Sequence, residues 1–141
     1  EAAMDDNNWK YSLRDLPELL DAVCTYYKKR FDVELTPDMV MTVYGSQEGM
    51  GHLGMALCDE GDTVLLPDPC YPVFAAGSLM AGAVPYYYPL VAEHDFLPYV
   101  KGIPEEIANK AKYMVVSLPS NPVGSRDFTK KSWNLRKNMI F

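Results

Sequence analysis

Three short stretches bring together residue types able to hold a ligand: "YGSQEG" (44–49), "LPDPCYP" (66–72) and "LPSNPVG" (118–124). In the first, a glycine and a small hydroxyl residue stand before an opening helix. Free backbone N–H groups and the positive end of the helix dipole then face the same turn. An anion such as a phosphate fits there, with Ser46 and Gln47 as its contacts. The spacing matches neither the glycine-rich dinucleotide fingerprint nor the Gly-Lys-Ser/Thr ending of a P-loop. In the second, Pro67, Pro69 and Pro72 stiffen the backbone around Tyr71 and present its ring rigidly, which suits stacking on a flat ligand. In the third, Asn121 offers a carbonyl acceptor and an amide donor, and Pro122 restricts its backbone, with a cis bond among the options.

Each stretch also has an ordinary structural reading. "GSQEG" is a helix-opening turn, Tyr71 packs in the core with Val73 and Phe74, and Asn-Pro-Val-Gly is a turn. Taken singly, those readings are the stronger ones. Taken together, three successive loops supply a phosphate turn, a stacking aromatic and a polar anchor.

The elements that must carry these loops follow from periodicity. In "SLRDLPELLDAVCTYYKKRF" (12–31), Leu16, Leu19, Leu20, Val23, Tyr27 and Phe31 recur at helical spacing, with acids early and Lys28, Lys29 and Arg30 late. "MVMTVY" (39–44) reads as a short strand, 45–62 as a helix, "TVLLP" (63–67) as a strand and "YPVFAAGSLMAG" (71–82) as a helix of small and apolar residues. "AVPYYYPL" (83–90) is a strand, "GIPEEIANKA" (102–111) a helix opened by proline and two acids, and "KYMVVSL" (112–118) a last strand. Such alternation predicts an α/β fold with a mostly parallel sheet, whose chemistry collects at the carboxyl ends of the strands. The three loops lie there.

Composition narrows the partners. A chain of 141 residues that is 48% apolar can build one domain with a core, and its net charge of −6 argues against nucleic acid as a partner. No apolar run approaches the roughly 18 residues of a membrane span, and "EAAMDDNNWK" lacks the basic and greasy regions of a signal peptide. A cytoplasmic location is expected. Cys24, Cys58 and Cys70 lack metal-ligand spacing and read as reduced thiols; no metal site is assigned. His52 and His94 have no nucleophile or metal partner at sensible spacing, and "PYYYP" (85–89) is an aromatic strand before it is a binding surface. Residues 126–141 carry five Lys/Arg against the single acid Asp127, a composition unlike the acidic 1–125.

The stretches "LPELLDAVCTYYKKRFDVELTPD", "VYGSQEGMGHLGMALCDEGDTVLLPDPCYPVF" and "VVSLPSNPVGS" resemble, in order, the class I/II aminotransferases of pyridoxal-phosphate fold type I, with the flavour of the LL-diaminopimelate and aspartate-type enzymes. The resemblance implies pyridoxal 5′-phosphate as cofactor. It implies that Ser46 and Gln47 cradle its phosphate, that Tyr71 stacks on its ring and that Asn121 hydrogen-bonds the ring 3-hydroxyl. It further implies amino acid and 2-oxo acid substrates and a homo-oligomer with the site near the subunit interface.

The family's Schiff-base lysine, its ring-nitrogen aspartate, its basic residue near the phosphate and its carboxylate-binding arginine are expected after "SNPVG". None of Lys101, Lys110, Lys112, Lys130, Lys131 and Lys137 stands in a matching context, so no catalytic residue is assigned. The expectation is that 1–125 form the first part of the family's large domain. Residues 126–141 are either a divergent tail from truncation or a frame change, or a weakly matching native helix. On this reading the chain is inactive alone. The alternative is a non-catalytic α/β domain serving as an interaction or oligomerisation module, with an unpaired sheet edge favouring association.

Overall fold

In the computed structural model, which describes residues 1–10 and 15–126, the alternation of helix and strand is regular from residue 46 onward. The basic tail beyond residue 126 lies outside the described residues. The chain divides into two units, Glu1–Val43 and Tyr44–Phe141.

The first unit is built on α1 (Pro17–Phe31). Proline at its first position has no N–H to leave unpaired, while Glu18 in the first turn and Lys28, Lys29 and Arg30 in the last turn suit the helix dipole. Asp32 closes it in a left-handed conformation (φ 53°), and Lys28 Nζ reaches Asp32 at 2.8 Å and Glu34 at 3.0 Å. Those carboxylates, Asp32 first, raise the Lys28 pKa. The Asp15 carboxylate accepts the Thr42 N–H at 3.0 Å and also the Thr42 hydroxyl, which lowers its pKa and ties residue 15 to residue 42. No described residue of 1–43 is buried, and the apolar stripe of α1 keeps Leu19, Tyr27 and Phe31 exposed.

The expected strand over 39–44 does not form. Val40 is extended (φ −126°, ψ 134°), yet no described strand runs beside it. β-Propensity sets the local backbone but supplies no neighbour to accept its hydrogen bonds.

The second unit runs α2 (Ser46–Leu57), β1 (Thr63–Asp68), α3 (Val73–Met80), β2 (Val84–Pro89), α4 (Glu105–Ala108) and β3 (Ala111–Met114). Its strands form a parallel sheet in the order β2-β1-β3. β1 is central, and the pleat sends its residues to opposite faces. Val64 and Leu66 pack with Cys58, Ala83 and the flank of α3, whereas Leu65 packs with Tyr88, Leu90 and Ile103. Both faces are covered, so β1 is an unbroken apolar run, as parallel strands are.

β3 is shorter than the expected 112–118, and β1 explains why. Val115 N–H still bonds Leu65 O at 2.9 Å, so Leu65 directs its backbone groups toward β3. The next residue of β1 facing that way is Pro67, which has no N–H to donate. The ladder ends there and residues 116–118 run on unpaired with β1. Their position is held instead by Tyr88 of β2, whose buried hydroxyl crosses the end of β1 to donate to Val115 O at 2.5 Å. Burial, with a smaller contribution from Cys70, pushes the Tyr88 phenol far above its ordinary pKa. Tyr88→Phe is expected to cost about 1–3 kcal/mol, because it strands a partly buried carbonyl. Urea denaturation checks this, and a variant as stable as the parent would show the bond to be idle.

Candidate ligand site at the strand ends

α2 begins without a side-chain cap. Its N-cap residue is Gly45, at φ 88° and ψ 153°, a conformation open to glycine, and a Cβ there would meet nothing within 4 Å. Glu48 N–H bonds Gly45 O at 3.2 Å, but no side chain accepts the N–H groups of Ser46 and Gln47 among the described residues. Those donors therefore face an open turn at the positive end of a twelve-residue helix. The Glu48 carboxylate turns back past the Gly45 cap to accept the Tyr44 N–H, one residue earlier than the N-cap N–H that a capping box would engage. Its negative charge lies in the same first turn, so an anion held here depends on direct N–H contacts more than on local potential.

Tyr71 sits in the proline-rich loop that leaves the carboxyl end of β1. It is half-buried, with its ring edge-on to Phe74 (centroids 5.9 Å apart, 80° between planes). The expected packing against Phe74 is thus present, while part of the ring stays accessible. Gln47 Nε2 donates to the Tyr71 hydroxyl at 2.5 Å, joining the first loop to the second. Cys70, beside it, is half-buried, and burial followed by the charge of Asp68 raises its thiol pKa, which keeps it protonated and unreactive at neutral pH.

Close packing between α2 and α3 fixes the distance between these loops. A Cβ on Gly77 would fall 1.9 Å from Gly51 O, and one on Gly54 would fall 2.3 Å from Ser78 N. Only hydrogen fits at those two positions. The helices that follow the two loops therefore meet backbone to backbone.

Asn121 is exposed in a turn closed by Ser120 N–H to Ser125 O (3.0 Å) and Gly124 N–H to Ser120 O (2.7 Å). Val123 anchors that turn against the Leu65 face of the core, and the Asn121–Pro122 peptide is cis, as are Asp68–Pro69 and Leu118–Pro119. The Asn121 amide makes no hydrogen bond among the described residues. The structure thus brings Ser46, Gln47 and Tyr71 together and leaves Asn121 unlinked to them by any described hydrogen bond. A cleft of about 480 Å³ opens beside β3, between Met50, Leu53 and Phe74 on one side and residues 113–118 on the other; none of the four predicted residues lines it.

Lys112 lies 3.4 Å from Asp62, just before the first residue of β1. That is the amino end of the sheet, opposite Tyr71, and Lys110 enters β3 at the same end. His52 is exposed, and His94 is exposed and stacked on Tyr99 at 4.0 Å. Among the described residues no group of three His, Cys, Asp or Glu could hold a metal, all three cysteines are free, and no helix is long and apolar enough to cross a membrane. Two contributors escaped the sequence reading. Glu48 had a signal, a glutamate three residues after the helix cap, whereas Tyr88 was hidden in a run of three tyrosines.

The family model described as "Aminotransferase class I and II" matches residues 1–135. An LL-diaminopimelate aminotransferase of Dehalococcoides mccartyi is 43% identical over 127 residues, covering 89% of this chain and 33% of that protein. One from Aquifex aeolicus is 43% identical over 129 residues, covering 87% and 33%. A solved structure of an aminotransferase from Staphylococcus aureus matches with a TM-score of 0.85 at 28% identity, over 97% of this chain and 36% of its own. The chain spans about a third of the length of the curated relatives it matches.

Proposed function

Because the chain belongs to the class I and II aminotransferase family, we infer that its strand-end loops are the first part of a pyridoxal-phosphate site in a protein that moves amino groups between amino acids and 2-oxo acids. The observation that carries this reading is the uncapped start of α2, where the exposed Ser46 and Gln47 keep N–H groups that no side chain accepts among the described residues. That is the fit a phosphate requires. Pyridoxal phosphate is the cofactor of this family, and the parallel sheet with its helices is the fold type I arrangement.

In this reading Tyr71 covers one face of the pyridine ring and Asn121 donates from its amide to the ring 3-oxygen. Ser46 adds its hydroxyl to the phosphate. Bound cofactor would supply the electron sink for bond breaking at the amino acid's α-carbon. The residues on this chain bind and orient it. Neither Lys112 of β3 nor Lys110 just before it reaches the site, since both stand at the other end of the sheet. With no lysine in a matching sequence context, the 141-residue chain by itself is expected to be inactive in transamination. The uncovered stripe of α1, with Leu19, Tyr27 and Phe31 exposed, supports association into a homo-oligomer. The acidic charge and free thiols support a cytoplasmic protein. With a full-length protein, LL-diaminopimelate is the first amino acid to assay, after the names of the relatives.

Titration with pyridoxal phosphate followed by borohydride and peptide mapping tests the reading. Scattered, substoichiometric lysine labelling is expected; a stoichiometric adduct at one lysine would overturn the statement that this chain lacks the covalent anchor. Asn121→Ala is expected to weaken non-covalent binding of 4′-deoxypyridoxine 5′-phosphate, which has no aldehyde, by about three- to tenfold for one lost hydrogen bond. Unchanged affinity would remove Asn121 from the site.

A further inference from the structure

A phosphate at the start of α2 needs only the backbone N–H of Gln47, and the side chain of Gln47 is engaged elsewhere. Its Nε2 lies 2.5 Å from the Tyr71 hydroxyl, across 24 residues of sequence. Phe74 meets the same ring edge-on, so Tyr71 is held by its hydroxyl from α2 and by its body from α3. The glycine contact between α2 and α3 holds the donor and the ring at a fixed separation.

We propose that Gln47 is a positioning residue that clamps the Tyr71 phenol and so couples the phosphate turn to the stacking face; this rests on the pyridoxal-phosphate reading of the site. The physical effect is pre-organisation. A free tyrosine ring loses rotamer freedom when a ligand stacks on it, and that loss weakens binding. A ring already fixed through its hydroxyl incurs less of it. Immobilising Gln47 through its backbone, as a bound phosphate does, also steadies the donor that holds the ring. The side chain thus acts on the pyridine ring through Tyr71 without touching it.

Two substitutions remove the clamp from opposite ends. Gln47→Leu keeps the backbone N–H for the phosphate, and Tyr71→Phe keeps the aromatic face. Gln47 is exposed, so its replacement leaves the core intact. With 4′-deoxypyridoxine 5′-phosphate as probe, each variant is expected to bind about two- to fivefold more weakly, the lower part of the range for one neutral hydrogen bond in contact with water. The double variant is expected to bind no more weakly than either single one. Losses that multiply in the double variant overturn the proposal, because they mean that Gln47 and Tyr71 act independently.

Tyr71→Ala separates the proposal from the reading beneath it. Its unchanged affinity would overturn the stacking role of Tyr71 whatever Gln47 does. A readout without ligand decides the clamp by itself: in the chain carrying ring-¹³C-tyrosine, the resonance that disappears in Tyr71→Phe is expected to shift in Gln47→Leu. A Tyr71 resonance unmoved by Gln47→Leu overturns the clamp even if no probe binds.

Discussion

Gly77→Ala is expected to cost about 3 kcal/mol of stability, near the upper end for overpacking a close contact. This reverses the usual sign, because alanine in an ordinary helix interior is favoured over glycine by about 1 kcal/mol. The added methyl would stand 1.9 Å from Gly51 O, a backbone atom that no rotamer change can move aside. α2 and α3 must separate to admit it. Gly51 itself provides the control, since a Cβ there meets nothing within 4 Å, and Gly51→Ala is expected to stabilise by up to about 1 kcal/mol. Urea midpoints of the two variants should therefore move in opposite directions. If Gly77→Ala were as stable as Gly51→Ala, the close crossing of α2 and α3 would be refuted. So would the account of how Gln47 is kept within reach of Tyr71, for the two loops are spaced by that crossing.

The contrast between these two glycines shows where sequence reading stops. Both lie in stretches whose composition predicted a helix, and both stretches are helical. α1, β1, α3 and β2 were legible because their signals are local: a proline at a first turn, charges matched to a dipole, an apolar run bounded by turns. Residues 39–44 carry an equally good local signal and form no strand, because pairing depends on a neighbour that propensity does not describe. The expected helix over 102–111 shrinks to Glu105–Ala108: Pro104 caps it, and Asn109 ends it one turn later.

The early end of β3 was written in the sequence, in Pro67, but only the direction of the Leu65 carbonyl shows which neighbour that proline fails. The site divides in the same way. A glycine-serine turn before a helix announces Ser46 and Gln47. That the Gln47 amide meets a phenol 24 residues away depends on two helices crossing at glycines. Tyr87 and Tyr88 are adjacent and alike in sequence, yet the pleat leaves one 46% exposed and the other 1% exposed with its hydroxyl on Val115.

Removing the phosphate from the probe is expected to have the largest effect on binding, with 4′-deoxypyridoxine about 100-fold weaker than its 5′-phosphate. Hydrogen bonds to a charged acceptor contribute about 1.5–3 kcal/mol each, and two donors, the N–H groups of Ser46 and Gln47, are available at the start of α2. Two opposing effects reduce that sum. The chain carries a net charge of −6, and Glu48 places a carboxylate in the same turn. A net contribution of about 3 kcal/mol remains, which is close to a hundredfold in affinity.

The Glu48 effect can be isolated, because its carboxylate also accepts the Tyr44 N–H that shapes the turn. Glu48→Gln keeps an acceptor oxygen for that bond and removes the charge. It is expected to tighten the phosphorylated probe and leave the unphosphorylated one unchanged, and added salt should narrow the difference between parent and variant. Equal affinity for the two probes, or phosphate affinity unaltered by Glu48→Gln and by salt, would place the anion away from α2. Ser46 and the backbone of Gln47 would then have no part in holding it.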